Sequence, residues 1–231
     1  MLGLCKLATE DSDKPRDVAA ILPSSRWVIE RTWEAPGLKG TGSHHISLDT
    51  AVVEGEDFFD LSGQGRWASG PLYDGVQQMI ALLHGAVSIG IAEGALDDLL
   101  AVAGSGRQQE RAAVPMRDSE IFQCDLGRVH AEIRAARSLL RAQADSHWNH
   151  ALAGRLGTDA LLVEGGQAAI WIVGTCLRAV DQLFLLGGSA VLPDHSLLQR
   201  RMRDIHVAAQ HSLMQPRHYA KGGRLLFSRA A

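Results

Sequence analysis

The sequence predicts a mainly α fold: a short, partial antiparallel β-sheet followed by a four-helix up-down bundle. Three observations predict it. Short runs rich in β-branched and aromatic residues, punctuated by proline and glycine, occupy residues 1–60. Residues 61–75 carry the glycine, serine and proline of a linker. From residue 76 to 231 the apolar period changes from two to about 3.6 and holds through four long stretches, which suit an antiparallel bundle with its apolar stripes inward.

The β-rich part is expected to hold three strands. Val18 to Leu22 is an apolar run closed by Pro23. Trp27 to Trp33 is β-branched and aromatic and ends at Pro36-Gly37. His45 to Val53 begins with alternation, Ile46 and Leu48 on one face, after the turn cluster Gly40-Thr41-Gly42-Ser43.

In the helical part, Val76, Met79, Ile80, Leu83, Val87 and Ile91 form one stripe, stopped by Gly104-Ser105-Gly106. Leu126, Val129, Ile133, Ala136 and Leu140 form a second. Val163, Ile170, Val173, Leu177, Val180 and Phe184 form a third, ending at Gly187-Gly188. Leu198, Met202, Ile205 and Ala209 form a fourth, ended by Pro216. Thr158 with Asp159 is the expected cap of the third helix, and Ser196 with Gln199 matches a capping box for the fourth.

Composition bounds the function. The 231 residues are 46% hydrophobic and 21% charged, with a mean hydropathy of −0.02. These values exclude a disordered or fibrous chain and allow one compact domain, or one with part of another. Lys plus Arg is 23 against 26 for Asp plus Glu, a net charge of −3, so no general nucleic-acid grip is expected. Cys5, Cys124 and Cys176 are odd in number and far apart, so reduced thiols and a cytoplasmic location are expected. The longest apolar run inside the helices, Ala168 to Leu177, is about half the length a membrane span needs, and none is expected. Met1 to Lys6 is too short for a signal-peptide core.

The motifs exclude several chemistries. Neither Gly40-x-Gly42 nor Gly63-x-Gly65 has the third glycine and helix start of a dinucleotide fingerprint, and no P-loop or Gly-x-Ser-x-Gly elbow occurs. His44 and His45 adjoin, so in a strand they point to opposite faces. His147 and His150 lack converging partners, so no metal site is expected. His206 and His211, five apart, fall on different faces of the fourth helix. Arg128, Arg134, Arg137 and Arg141 form either a solvated face or an inter-subunit or phosphate-facing surface. The arginines of Arg200-Arg201-x-Arg203-Asp204 are read as a structural ion-pair cluster. Gly187-Gly188-Ser189 is a C-cap, and its glycines also allow close approach of a ligand to backbone.

Three segments carry a resemblance to a family: Pro115-Met116-Arg117-Asp118-Ser119, Leu185-Leu186-Gly187-Gly188-Ser189-Ala190, and Leu198-Gln199-Arg200-Arg201-Met202-Arg203-Asp204-Ile205-His206. In their order and spacing they resemble the C-terminal four-helix bundle of acyl-CoA dehydrogenase-like flavoproteins. The stretch from Trp33 to Val53 is similar to the closing strands of that family's middle β-domain. The resemblance covers nearly the whole chain. It implies a flavin cofactor, FAD or FMN, and a homo-oligomer, dimer or tetramer, in which Arg117, Gly187 and Gly188 approach the flavin phosphate or adenine of a neighbouring subunit. Arginine at a helix start suits phosphate, because guanidinium and helix dipole act together. One departure stands out: the family's glutamine three positions before the first of these glycines is Phe184 here.

The resemblance also divides by chemistry. In many of the dehydrogenases a glutamate after the Arg-Asp pair removes the α-proton; here that position is Ser212, preceded by His211, and no glutamate follows Ser189. Serine without a base cannot abstract a weakly acidic carbon proton near neutral pH. The tail is more similar to the flavin-dependent monooxygenases of the same fold, which take reduced flavin from a separate reductase and act with oxygen on a small-molecule substrate. In that branch a histidine at the place of His211 lies near the flavin, as proton donor or hydrogen-bond partner; the plainer reading of His211 is a satisfied, partly buried helix histidine. Two rivals remain: an acyl-CoA dehydrogenase whose base is Glu93 on the first bundle helix, and a non-catalytic oligomerisation module. The family's N-terminal helical domain and the first half of its β-domain have no counterpart here, so the pocket is expected to be incomplete in one copy of this chain.

Overall fold

A computed structural model describes residues 1–9, 12–48, 52–60, 70–74, 76–156 and 158–230. Two compact units emerge: Met1–Ala35 with Lys39–Ser69, and Pro36–Leu38 with Gly70–Ala231. The expected linker over 61–75 lies largely outside the described residues.

The first unit is built from strands β1 (Leu2–Thr9), β2 (Ser12–Ile21), β3 (Val28–Glu30), β4 (His45–Ser47) and β5 (Phe58–Asp60). β2 pairs antiparallel with β1 on one side and β5 on the other, with Ala19 opposite both Leu4 and Phe59. β3 and β4 form a separate two-stranded sheet, Ile29 opposite Ile46. Its core is Ala20, Leu22 and Trp27, with Cys5, Ile46, Leu48, Val53 and Phe58 packed around them. Gly3 lets the Trp27 ring lie on β1: a Cβ there would come within 2.7 Å of Trp27 Cζ3.

β1 and β5 were not foreseen, β2 begins well before Val18, and β3 and β4 are three residues each rather than the longer runs expected. β1 exposes Leu2 and Leu4, at 53% and 74%, so its outward residues are as apolar as the inward ones and alternation is masked.

The second unit contains α1 (Val76–Gly104), α2 (Glu120–Leu152), α3 (Asp159–Gly187), α4 (Leu197–Ala208) and α5 (Tyr219–Ala230). The first four form the predicted mainly α bundle. The caps foreseen for two of them are present: the Leu161 amide donates to Thr158 Oγ1 at 3.4 Å, and the Gln199 amide to Ser196 Oγ at 3.3 Å. α2 starts in the same manner, with the Phe122 amide donating to Ser119 Oγ. Each cap satisfies one of the orphan donors of a helix start.

The bundle core joins Ala92, Ala95 and Leu99 of α1, Val129, Ile133 and Ala136 of α2, Ile172, Cys176, Val180 and Leu183 of α3, and Leu198 and Ile205 of α4. Alanines at zero exposure let the helix axes approach, and each fully buried Leu or Ile contributes about 1.5–3 kcal/mol. The stripe predicted for α1 is split between faces: Ile91 is buried with Leu82, Ile89, Ala92, Ala95 and Leu99, while Ile80, Leu83 and Val87 are exposed at 38%, 63% and 53%. α1 is apolar nearly all round, so its periodicity does not choose a face. For the same reason α1 and α3 are long and apolar enough, by length and composition, to cross a membrane, which corrects the expectation that no helix would be.

The fourth helix also ends earlier than predicted. α4 stops at Ala208, short turns follow at Ser212–Met214 and Pro216–His218, and the unforeseen α5 continues to Ala230. Pro36–Leu38 lies along α4. Leu38 N donates to Asp204 Oδ1 at 2.6 Å, Arg203 donates to the Pro36 carbonyl at 3.3 Å, and Gly37 sits so close that a Cβ would overlap the Arg203 carbonyl group.

Candidate functional site

The residues singled out from the sequence gather at opposite ends of the bundle. Where α1 and α3 end and α2 begins, Gly187 is the last residue of α3 and Gly188 follows it at φ +57, ψ −144. The two glycines are needed for different reasons. Gly187 has ordinary helical φ and ψ, but a Cβ would stand 2.7 Å from Val191 Cγ1 and 2.8 Å from Cγ2. Gly188 needs the positive φ itself, and a Cβ there would approach the Gln109 amide at 3.2 Å.

Two residues that sequence reasoning missed complete this end. Gln109, in the α1–α2 loop, donates from Nε2 to the Leu186 carbonyl at 3.3 Å, and Arg107 donates to Ser189 Oγ at 3.2 Å. Met116 N donates to the Arg107 carbonyl at 2.9 Å, which brings Arg117 beside them. Arg117 is exposed and stands 3.7 Å from Asp118, a loose pair that leaves its fork open. Arg107, Gln109, Ser189 and the Gly188 turn therefore meet at this end of the bundle, with Arg117 on the adjoining turn at Met116–Asp118. Phe184 had marked the absence of a glutamine near the Gly-Gly turn; an amide arrives instead from Gln109.

His211 lies at the far end. α1 separates His84 from Gly104 by roughly 30 Å at 1.5 Å per residue, and His211 stacks on His84, ring centroids 4.0 Å apart and planes 33° from parallel. His211 is exposed and stands beyond α4, not on it, which corrects the picture of His206 and His211 on two faces of one helix. His206 Nε2 meets Asp181 Oδ1 at 2.8 Å. His211 Nδ1 instead accepts from the Leu213 amide at 3.3 Å and caps the Ser212–Met214 turn. Burial first, and then the charge of His211, holds His84 below the ordinary histidine value of 6.5. Met214 anchors the turn by packing on Ala169 and Val173 of α3.

The remaining candidates are structural. Glu93, the rival base, is ion-paired with Arg137 of α2. Arg201 pairs with Asp98 at 3.2 Å and Arg200 with Asp204 at 3.6 Å. His147 and His150 each set Nδ1 on the carbonyl four residues back, at 2.8 Å. Among the described residues no group of three or more His, Cys, Asp or Glu is placed to hold a metal.

Four helices packed about one core, with a Gly-Gly turn closing α3, form a bundle of the acyl-CoA dehydrogenase C-terminal type. Residues 82–216 match the family described as acyl-CoA dehydrogenase, C-terminal domain, and the chain belongs to that family. Among curated relatives, an indole-3-acetate monooxygenase of Pseudomonas putida is 29% identical over 99% of this chain and 58% of its own length. The oxygenase component of an FADH(2)-dependent resorcinol hydroxylase of a Rhizobium species is 31% identical over 92% of this chain and 56% of its own. The fold matches XiaF from a Streptomyces species, solved in complex with FADH2 and glycerol, with a TM-score of 0.84 and 22% identity over 93% of this chain and 57% of that one. The chain thus spans a little over half the length of the relatives it matches.

Proposed function

We propose that the chain is the C-terminal part of the oxygenase component of a two-component flavin-dependent monooxygenase acting on a small aromatic substrate. The observation that carries this reading is His211: an exposed imidazole in a built turn, next to Ser212, the position where a dehydrogenase would need its carboxylate base. The names of the relatives support the same class, and a flavin reductase is the implied partner. The ion pair that engages Glu93 disfavours the dehydrogenase alternative.

Arg107, Arg117, Gln109, Ser189 and Gly188 fit the phosphate-bearing end of FAD or FMN. Reduced flavin, when bound, would supply the electrons that let one atom of dioxygen enter the substrate. His211 would present its Nε2 as hydrogen-bond donor or proton carrier. Because the two ends of the bundle are roughly 30 Å apart, one copy cannot bring both sets to a single flavin ring. This supports a homo-oligomer in which a neighbouring copy supplies the phosphate-binding turn. The exposed α1 stripe Ile80, Leu83 and Val87 is apolar surface suited to such a contact.

The test is flavin titration of the purified chain, followed by absorbance and sedimentation, with a reductase then supplying reduced flavin. Saturable binding that Arg107→Ala and Arg117→Ala weaken supports the reading. A stable oligomer with no flavin binding would leave only the scaffold alternative.

A further inference from the structure

His84 stands on α1 between Leu83 and Gly85, a lone imidazole in an apolar stretch. Its backbone carbonyl accepts from Ser88 Oγ at 2.9 Å, but its ring nitrogens have no hydrogen-bond partner among the described residues. The ring lies against that of His211, centroids 4.0 Å apart and planes tilted by 33°. His211 is held on an edge as well, because the Leu213 amide donates to its Nδ1. A nitrogen that accepts a hydrogen bond carries the lone pair, so the ring proton of neutral His211 sits on Nε2. That atom has no partner among the described residues.

We propose that His84 is a positioning residue for His211: the stacked ring fixes the plane of the His211 imidazole, so that Nε2–H is the group presented outward. The terminal torsion of an unrestrained histidine is broad and roughly two-fold, and a half-turn would exchange the two edges of the ring. The Leu213 amide alone tolerates tilt; a face contact on the neighbouring helix removes it. Burial, and then the His211 charge, disfavour a cation at His84, so the ring beneath His211 favours its neutral form.

Apart from His84, α1 carries no charged or titratable residue from Met79 to Ala92, and α3 has only Cys176 from Gly165 to Leu177, its thiol pushed up to about 12. α2 contributes Arg137, Arg141 and the buried His147. The turns after α4 contribute Arg217 and His218, whose Nε2 lies 3.1 Å from the Ser212 carbonyl.

The functional meaning rests on the monooxygenase reading, but the geometric test does not. Long-range proton–nitrogen correlation spectra of the histidine-labelled chain, with the signal identified through His211→Gln, read the tautomer directly and need no flavin. The wild-type chain is expected to show His211 with its proton on Nε2. His84→Phe keeps a ring and keeps that pattern; His84→Ala yields an averaged pattern of both tautomers. A wild-type proton on Nδ1, an alanine variant with the wild-type pattern, or a phenylalanine variant that behaves like alanine overturns the proposal. Should the alanine variant fail to fold, His84→Leu takes its place, with the same expected averaging. In the flavin-loaded assembly, His84→Ala lowers product formed per reduced flavin about fivefold, the loss expected for one misdirected hydrogen bond. Absence of flavin binding defeats the functional reading and leaves the spectroscopic result standing.

Discussion

Replacing Gly187 by alanine separates a packing role from a ligand role at the Gly-Gly turn. The backbone at Gly187 is ordinary right-handed helix, so alanine adds no torsional strain. It adds one carbon, 2.7 and 2.8 Å from the two methyls of Val191, where about 3.5–4.0 Å is comfortable. Val191 is only 1% exposed and has little room to retreat. Overpacking of this kind costs about 1–3 kcal/mol, while alanine regains up to about 1 kcal/mol of helix propensity. The net loss is then about 1–2 kcal/mol, which for a chain of this size lowers the Tm by about 2–8 °C. Calorimetry or urea unfolding reads it. In the double variant with Val191→Ala the clash is gone, so the two losses should be less than additive by about 1 kcal/mol. A Gly187→Ala chain at least as stable as the parent, or strictly additive losses, would falsify the packing account. If flavin affinity then fell with stability unchanged, Gly187 would be a ligand residue after all.

Further outcomes follow from the same contacts. Gly37→Ala drives its new carbon into the Arg203 backbone, which cannot swing aside as a side chain would; a loss of about 2–3 kcal/mol is expected, and an unchanged melting profile would contradict it. His84 titrates below its unfolded value, so its neutral form favours folding: this stability is fully present above pH 6.5 and is lost as pH falls toward the lowered value. His84→Phe should flatten that acid limb in urea titrations, and His211→Phe should raise the His84 midpoint part of the way back; no movement in either argues against the coupling. Buried Cys176, its thiol at about 12, should resist alkylation in the native chain while exposed Cys124 reacts, a contrast that peptide mapping checks.

Much of the bundle was legible because helix signals are local. Thr158 and Ser196 cap the helices they were expected to cap, and the glycines after α1 and α3 end them. The stripes of α2, α3 and α4 face the core as their spacing implied, since each has a polar side to contrast with. α1 lacks that contrast, and its predicted stripe straddles the buried and the exposed face. β1, with apolar residues on both faces, left no alternation to find. The end at the Gly-Gly turn was half visible: Arg117 and the glycines stand in recognisable segments, but Arg107 and Gln109 sit in a loop whose partners no periodicity reveals. His84 left only a weak signal, one polar residue inside an apolar helix.

The sequence by itself determined where the chain becomes helical, which residues start and stop most of the helices, and that no glutamate follows Ser189 in the tail. These depend on residues within a turn or two of one another. Only the tertiary structure decided which side of α1 turns inward, how Gln109 reaches the Gly188 turn, and that His84 lies against His211. Those contacts join positions far apart in the chain, and their energies come from close-packed surfaces that exist only once the helices have met.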